Sequence, residues 1–177
     1  TKDPIFISNA AEKRGIKLET PSLSRAINDA MPSYCARQIQ KALSSIYKNP
    51  SRLKIAILGV AFKNNTNDCR YTPTIPAINT LVKMGYDMSI YDPLVSSGTI
   101  KALTGKEASK NIAECVKDAA CVAYFAAHDE IKDHPLDSIA KLAQRQCLIY
   151  DGRRYFSREE INKIQDLGLN YRGVGRK

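Results

Sequence analysis

Lys54-Ile55-Ala56-Ile57-Leu58-Gly59-Val60-Ala61-Phe62-Lys63-Asn64-Asn65-Thr66-Asn67-Asp68-Cys69-Arg70-Tyr71-Thr72-Pro73 decides how this chain is read. It opens as a short apolar run rich in β-branched side chains, the pattern of a buried strand. Gly59 breaks the run. Phe62 and Lys63 follow, then a polar loop that ends in Arg70. Thr72 is placed to cap a helix, and Pro73 to take its first position. An aromatic ring and two cations therefore stand where a strand hands over to a helix. In an open α/β sheet that handover forms the crevice where ligands bind, and a helix N-terminus there favours anions. The stretch reads as a site for a phosphorylated ligand, with Phe62 as a wall for a flat ring.

Outward from this stretch the pattern keeps alternating. Strands are expected at 53–59, 87–91, 120–126, 147–150 and 169–173, and helices at 73–84, 94–104, 111–118, 136–144 and 157–167. Asn111 with Glu114 three residues on has the form of a capping box, and Gly85 and Gly168 suit helix stops. Such alternation implies an α/β fold: a Rossmann-like, doubly wound, mainly parallel sheet with helices on both faces and right-handed crossovers. Two helices are expected before it. One starts at Asp3-Pro4 and runs to about Lys13, with Gly15 as its stop. The other opens at Pro21-Ser22 and is amphipathic through Leu23, Ile27, Tyr34, Ile39, Leu43 and Ile46, with Pro32 as a site for a kink. Lys48-Asn49-Pro50-Ser51 marks a boundary, so residues 1–50 are expected as a helical unit and 51–177 as the sheet domain.

The 177 residues are 44% hydrophobic and 25% charged, ordinary values for a globular protein. No run approaches the ~20 apolar residues of a membrane span, and no signal peptide is recognisable. The net charge of +9 raises the question of nucleic acid. The basic residues are dispersed and carry no zinc-finger, homeodomain or RRM signature, so a basic cleft for a diphosphate is the better account. Cys35, Cys69, Cys115, Cys121 and Cys147 form no Cys-x-x-Cys pair. They read as buried, reduced thiols in a cytoplasmic protein, with no metal site. Cys69 beside Arg70 reads as an unreactive loop thiol before it reads as catalytic. His128 and His134 with Asp129 have metal-ligand chemistry, but a surface loop after a strand is the stronger reading.

A dinucleotide-binding turn needs Gly-x-Gly-x-x-Gly directly after the first strand. The residues there are Gly59-Val60-Ala61-Phe62-Lys63-Asn64. Only the first glycine is present, and Phe62-Lys63 would crowd a pyrophosphate. Asp92 follows the second strand, as a ribose-binding acid would, but alone that is weak. The sheet is expected to hold a different nucleotide.

Gly59-Val60-Ala61-Phe62-Lys63, the Asn-rich loop, Arg70 and Pro73 resemble the carboxy-terminal domain of the UDP-glucose/GDP-mannose dehydrogenase family. Tyr91-Asp92-Pro93, Asp151-Gly152-Arg153 and the closing Tyr171-Arg172-Gly173-Val174-Gly175-Arg176 fit the same family in order. The chain departs from the family's usual Arg-Glu-Ser-Pro at Arg70-Tyr71-Thr72-Pro73. The resemblance implies a UDP-sugar substrate, with Phe62, Lys63 and Arg153 as substrate-binding residues; sequence does not separate Arg153 from Arg154. It implies that Arg70 reaches an NAD held mainly by another domain. The bland alternatives for Arg70 are an ion pair with Asp68 or a role at a helix end.

The family's nucleophilic cysteine lies in a Gly-Gly-x-Cys-Leu-x-Lys-Asp segment. Thr1-Lys2-Asp3 matches the end of it, which places that cysteine two residues before Thr1 and makes the chain a fragment. By the same likeness Asp3 is the catalytic acid and Lys2 approaches the cofactor; helix capping is the plain reading of both. The whole enzyme would oxidise C6 of a UDP-sugar twice, through a thiohemiacetal and a thioester, passing two hydrides to NAD. A homodimer through the helix at 22–47 is implied, and the start leans towards N-acetylhexosamine substrates. A stand-alone, non-catalytic nucleotide-binding module is the alternative.

Overall fold

The computed structural model describes residues 3–50 and 52–176. Five short strands form one parallel sheet: β1 Lys54–Leu58, β2 Asp87–Tyr91, β3 Cys121–Tyr124, β4 Leu148–Asp151 and β5 Asn170–Gly173. Their order across the sheet is β2-β1-β3-β4-β5. The register pairs Leu58 with both Tyr91 and Tyr124, and Tyr124 with Asp151, so these carboxyl ends lie along one edge. The chain leaves β1 towards β2, then returns to the other side of β1 for β3. That reversal opens a crevice between the ends of β1 and β3.

The three central strands β1, β3 and β4 bury both faces and read as mainly apolar runs, whereas the edge strands β2 and β5 are mostly half-buried and mix polar with apolar residues. On one face Ile55, Ile57, Ile90, Ala123, Leu148 and Tyr150 meet helices α2 (Glu19–Ile46), α3 (Thr74–Lys83) and α4 (Ser97–Thr104). On the other, Ala56, Leu58, Val122, Tyr124 and Ile149 meet α5 (Ile112–Val116), α6 (Asp129–Lys132), α7 (Leu136–Leu142) and α8 (Arg158–Asp166). Alternate strand residues thus belong to opposite cores, as the pleat requires. The strands fall within two residues of their expected places. Helix α6 is an addition that sequence reading left as loop.

Local chemistry sets the helix ends. Ser157 and Glu160 complete a reciprocal capping box on α8, and Asn111 accepts the N–H of Glu114. Helix α3 begins at Thr74, one residue later than expected: Pro73 takes the N-cap position, and Thr72 just before it accepts the Thr74 N–H on Oγ1 at 3.3 Å.

Helix α1 (Asp3–Glu12) packs on α2. Helix α2 runs through Pro32, whose ring nitrogen has no proton to give the Asn28 carbonyl. Its second half, with Cys35, Ala36, Ile39 and Leu43, lies in the core of the sheet. Its first half does not: Leu23 and Ile27 are 63% and 58% exposed. The apolar stripe that looks uniform in sequence is covered over only half its length.

Candidate functional site

The turn after β1 is built differently from a dinucleotide cradle. Gly59 takes φ +83°, and a Cβ there would stand 2.2 Å from the Ala126 carbonyl oxygen. Beyond it, the N–H groups of Val60 and Ala61 both donate to Asp92 Oδ2, at 2.7 and 3.2 Å. Asp92 Oδ1 accepts from Leu94 and Val95 at 3.0 and 3.1 Å. Burial by itself would raise the Asp92 pKa. The His128 contact and the backbone N–H donors outweigh it and hold the carboxyl below the usual range. In a nicotinamide dinucleotide site those turn amides face the pyrophosphate. Here a carboxylate of the chain itself occupies them, so NAD does not fit on this turn. Asp92 has the position of a ribose-binding acid, but its work is to close the β1 turn.

The loop that follows is bolted down. The Phe62 N–H donates to the Asp68 carbonyl at 2.8 Å. Asn64 Oδ1 accepts the N–H of Ala127 at 2.8 Å, and Asn65 exchanges two bonds with Asp129 at 2.9 and 3.0 Å. His128 is only 1% exposed, which corrects its reading as part of a surface loop. Its Nδ1 accepts the Asn65 N–H at 2.9 Å, and its Nε2 lies 3.0 Å from Asp92 Oδ2. Arg70 forks onto Asp68 at 2.9 and 2.8 Å. Those hydrogen bonds hold the Asp68 carboxyl down at about 2. The pair is solvated, so it contributes little to stability.

Three strand ends then meet under α2. The Arg153 guanidinium donates from Nε to the Phe125 carbonyl and from Nη2 to the Phe62 carbonyl, each at 3.0 Å. It thereby ties together the segments after β1, β3 and β4. Partial burial of its head lowers its pKa from the ordinary arginine value. Asp151 shapes the turn that presents it, accepting the N–H groups of Arg153, Tyr155 and Phe156 and the hydroxyl of Tyr171. A Cβ on Gly152 would sit 2.7 Å from the Phe125 ring and 2.8 Å from the Tyr124 carbonyl, so only glycine fits between them. Phe62, Phe125, Gly152 and Arg153 form one side of a cleft of about 590 Å³. The start of α3 and the Arg25-to-Cys35 face of α2 form the other. Tyr71 stands at the rim, 88% exposed and at φ +57°, an uncommon backbone for an aromatic residue. The cleft joins aromatic walls, two held cations (Arg153, and Arg25 paired with Asp29) and a helix start, which suits a flat ring carrying an anionic tail.

The model of the UDP-glucose/GDP-mannose dehydrogenase family, UDP binding domain, matches residues 56–158. The chain belongs to this family. A UDP-N-acetyl-D-mannosamine dehydrogenase of Pyrococcus horikoshii is 31% identical over 99% of this chain and 37% of its own length. A UDP-glucose 6-dehydrogenase of Arabidopsis thaliana is 29% identical over 79% of this chain and 33% of its own length. Among solved structures, an NDP-N-acetyl-D-galactosaminuronic acid dehydrogenase from Methanosarcina mazei superposes over the whole chain and 37% of its own, with a TM-score of 0.85 and 26% identity. The chain thus spans about a third of the length of the curated relatives it matches.

Of the residues singled out by likeness to this dehydrogenase family, Phe62 and Arg153 meet in the cleft. Arg154, at φ +58°, does not line it. Lys63 is exposed and is not among the lining residues. Arg70 is exposed and paired with Asp68. Lys2 lies outside the described residues, and Asp3 is described only as the first residue of α1. Sequence reasoning missed the α2 wall, because nothing local says which helix folds over a strand end. It also missed the fastening roles of Asp151 and His128. A carboxylate at the last residue of a central strand was the available signal for Asp151.

Proposed function

We propose that this chain is the UDP-binding end of an NAD-dependent nucleotide-sugar 6-dehydrogenase, which oxidises C6 of a UDP-sugar to a uronate in two hydride transfers. The observation that carries the reading is the cleft, where Arg153 and Phe62 are hydrogen-bonded to each other at the switch point of the sheet. In this reading Phe62 lies against the nucleotide ring. Arg153 pairs with the diphosphate, and Lys63 reaches it from the exposed loop after β1. Residues 51–177 form the UDP-binding domain, and residues 1–50 end a central helical part. NAD sits mainly on a domain that precedes these residues. Arg70 reaches across to it, Lys2 approaches the nicotinamide, and Asp3 serves as the catalytic acid beside a cysteine that precedes Thr1.

A second copy of the chain covers the first half of α2, where Leu23 and Ile27 join Ile5, Phe6 and Ile7 of α1 as exposed apolar side chains. Among the described residues no helix is long and apolar enough to cross a membrane. All five cysteines are unpaired, which supports a cytoplasmic location.

Turnover tests the division of labour. The 177-residue chain by itself should form no NADH from UDP-glucose, UDP-N-acetylmannosamine or UDP-N-acetylglucosamine. The natural full-length protein should form two NADH per sugar oxidised. Reproducible NADH formation by the 177 residues alone would overturn the assignment of NAD and nucleophile to another part.

A further inference from the structure

We propose that His128, as a neutral imidazole protonated on Nε2, is the positioning residue that fixes the ligand loop from Phe62 to Arg70. The inference rests on the UDP reading of the cleft only for its effect on binding. The imidazole bridges two elements that are 27 residues apart in the chain, Asn65 and Asp92, at 2.9 and 3.0 Å. Asn65 offers an N–H, so Nδ1 must be an acceptor there. The proton then lies on Nε2 and is donated to Asp92. That same Asp92 oxygen holds the N–H groups of Val60 and Ala61, immediately before Phe62. One buried ring therefore sets both the entry to the loop and its middle.

A second proton strengthens the Nε2 contact with Asp92. It also turns Nδ1 into a donor facing the Asn65 N–H, so the loop bond is lost while the Asp92 contact persists. The other titratable groups around the pair are Cys69 in the loop, Tyr91 at the end of β2, and Asp129 and Glu130 on α6. Cys69 is raised by burial and by Asp92, and stays a neutral thiol. The Tyr91 hydroxyl bonds Glu130 and is pushed up to about 12, first by burial. Asp129 holds the Asn65 side chain, so the loop keeps that tether when the backbone bond opens.

Two substitutions separate the bonds. His128→Asn carries a carbonyl oxygen near the Nδ1 position and no titratable proton. His128→Gln reaches the Nε2 position and leaves Asn65 without its acceptor. Thermal melting first establishes that each variant folds. Nitrogen NMR of the parent ring at pH 7.5 should show the Nε2–H tautomer. On acidification, exchange protection of the Asn65 amide should fall about tenfold in step with ring protonation, the size of one hydrogen bond. In His128→Asn that protection should persist and lose its pH dependence, and in His128→Gln it should be low throughout. UDP affinity, measured on the same chains, should follow Asn65 protection with a five- to tenfold span.

An Nδ1–H tautomer would overturn the proposal. So would Asn65 protection that ignores ring protonation, or full protection in His128→Gln. A parent that binds no UDP, with the ring and amide behaving as described, would overturn the UDP reading and leave the positioning role standing.

Discussion

Asp92 and Asp151, both buried at strand ends, accept seven of the backbone bonds that shape the two turns flanking the cleft. Neither needs to touch ligand to matter. The Asp92 carboxyl is held below its unfolded value of ~3.9, so its contribution is fully present above about pH 4 and is lost as pH falls through the lower folded value. Asp92→Asn removes the charge from four backbone N–H donors and the His128 Nε2–H. It should cost about 2–3 kcal/mol near neutrality, the range of charge-assisted bonds. Urea unfolding at pH 7 and pH 3 reads the effect. The gap between parent and variant should narrow at pH 3, and an equal gap at both would contradict the role given to Asp92. Sequence marks an acid here but does not name its partner. A carboxylate after a strand looks the same whether it faces a ribose or its own chain.

Helix α2 shows what a periodic pattern can and cannot say. Leu23, Ile27, Ile39 and Leu43 all fall on its apolar stripe, yet Ile39 is fully buried and Ile27 is 58% exposed. Periodicity reports that a face wants cover and is silent on what supplies it. Ile39→Ala should therefore lose about 2–5 kcal/mol, as for a buried core residue. Ile27→Ala should stay within ~0.5 kcal/mol in the isolated chain at low concentration. Chemical denaturation of the two variants checks both, and equal losses would mean that α2 is packed otherwise. The strands were far more legible. The central strands β1, β3 and β4 are short apolar runs between a helix and a turn, the edge strands β2 and β5 follow from their places in the alternation, and the parallel arrangement leaves few topologies open. Helix α6 was invisible because four residues are too few to show a period.

For the whole molecule, the uncovered half of α2 and the exposed Ile5, Phe6 and Ile7 of α1 should bring two chains together. Light scattering at ~100 μM, well above stable-dimer constants, should give twice the chain mass. Leu23→Lys combined with Ile27→Lys should return it to a monomer, and a parent that is monomeric at that concentration would contradict the dimer. The position of the cleft was legible in outline, since strand ends at a switch point collect their loops whatever those loops contain. Its composition was only half legible: Phe62 and Arg153 line it, whereas Lys63 is exposed and does not line it. The central claim is that this cleft holds UDP through Arg153, and calorimetric titration of the chain with UDP tests it most directly. The parent should bind at millimolar affinity or better. Arg153→Ala should bind roughly ten- to a hundredfold more weakly, as the loss of a charged hydrogen bond requires, with its fold intact by circular dichroism. A parent that takes up no UDP at millimolar concentration, or a folded Arg153→Ala that binds as the parent does, would contradict the account.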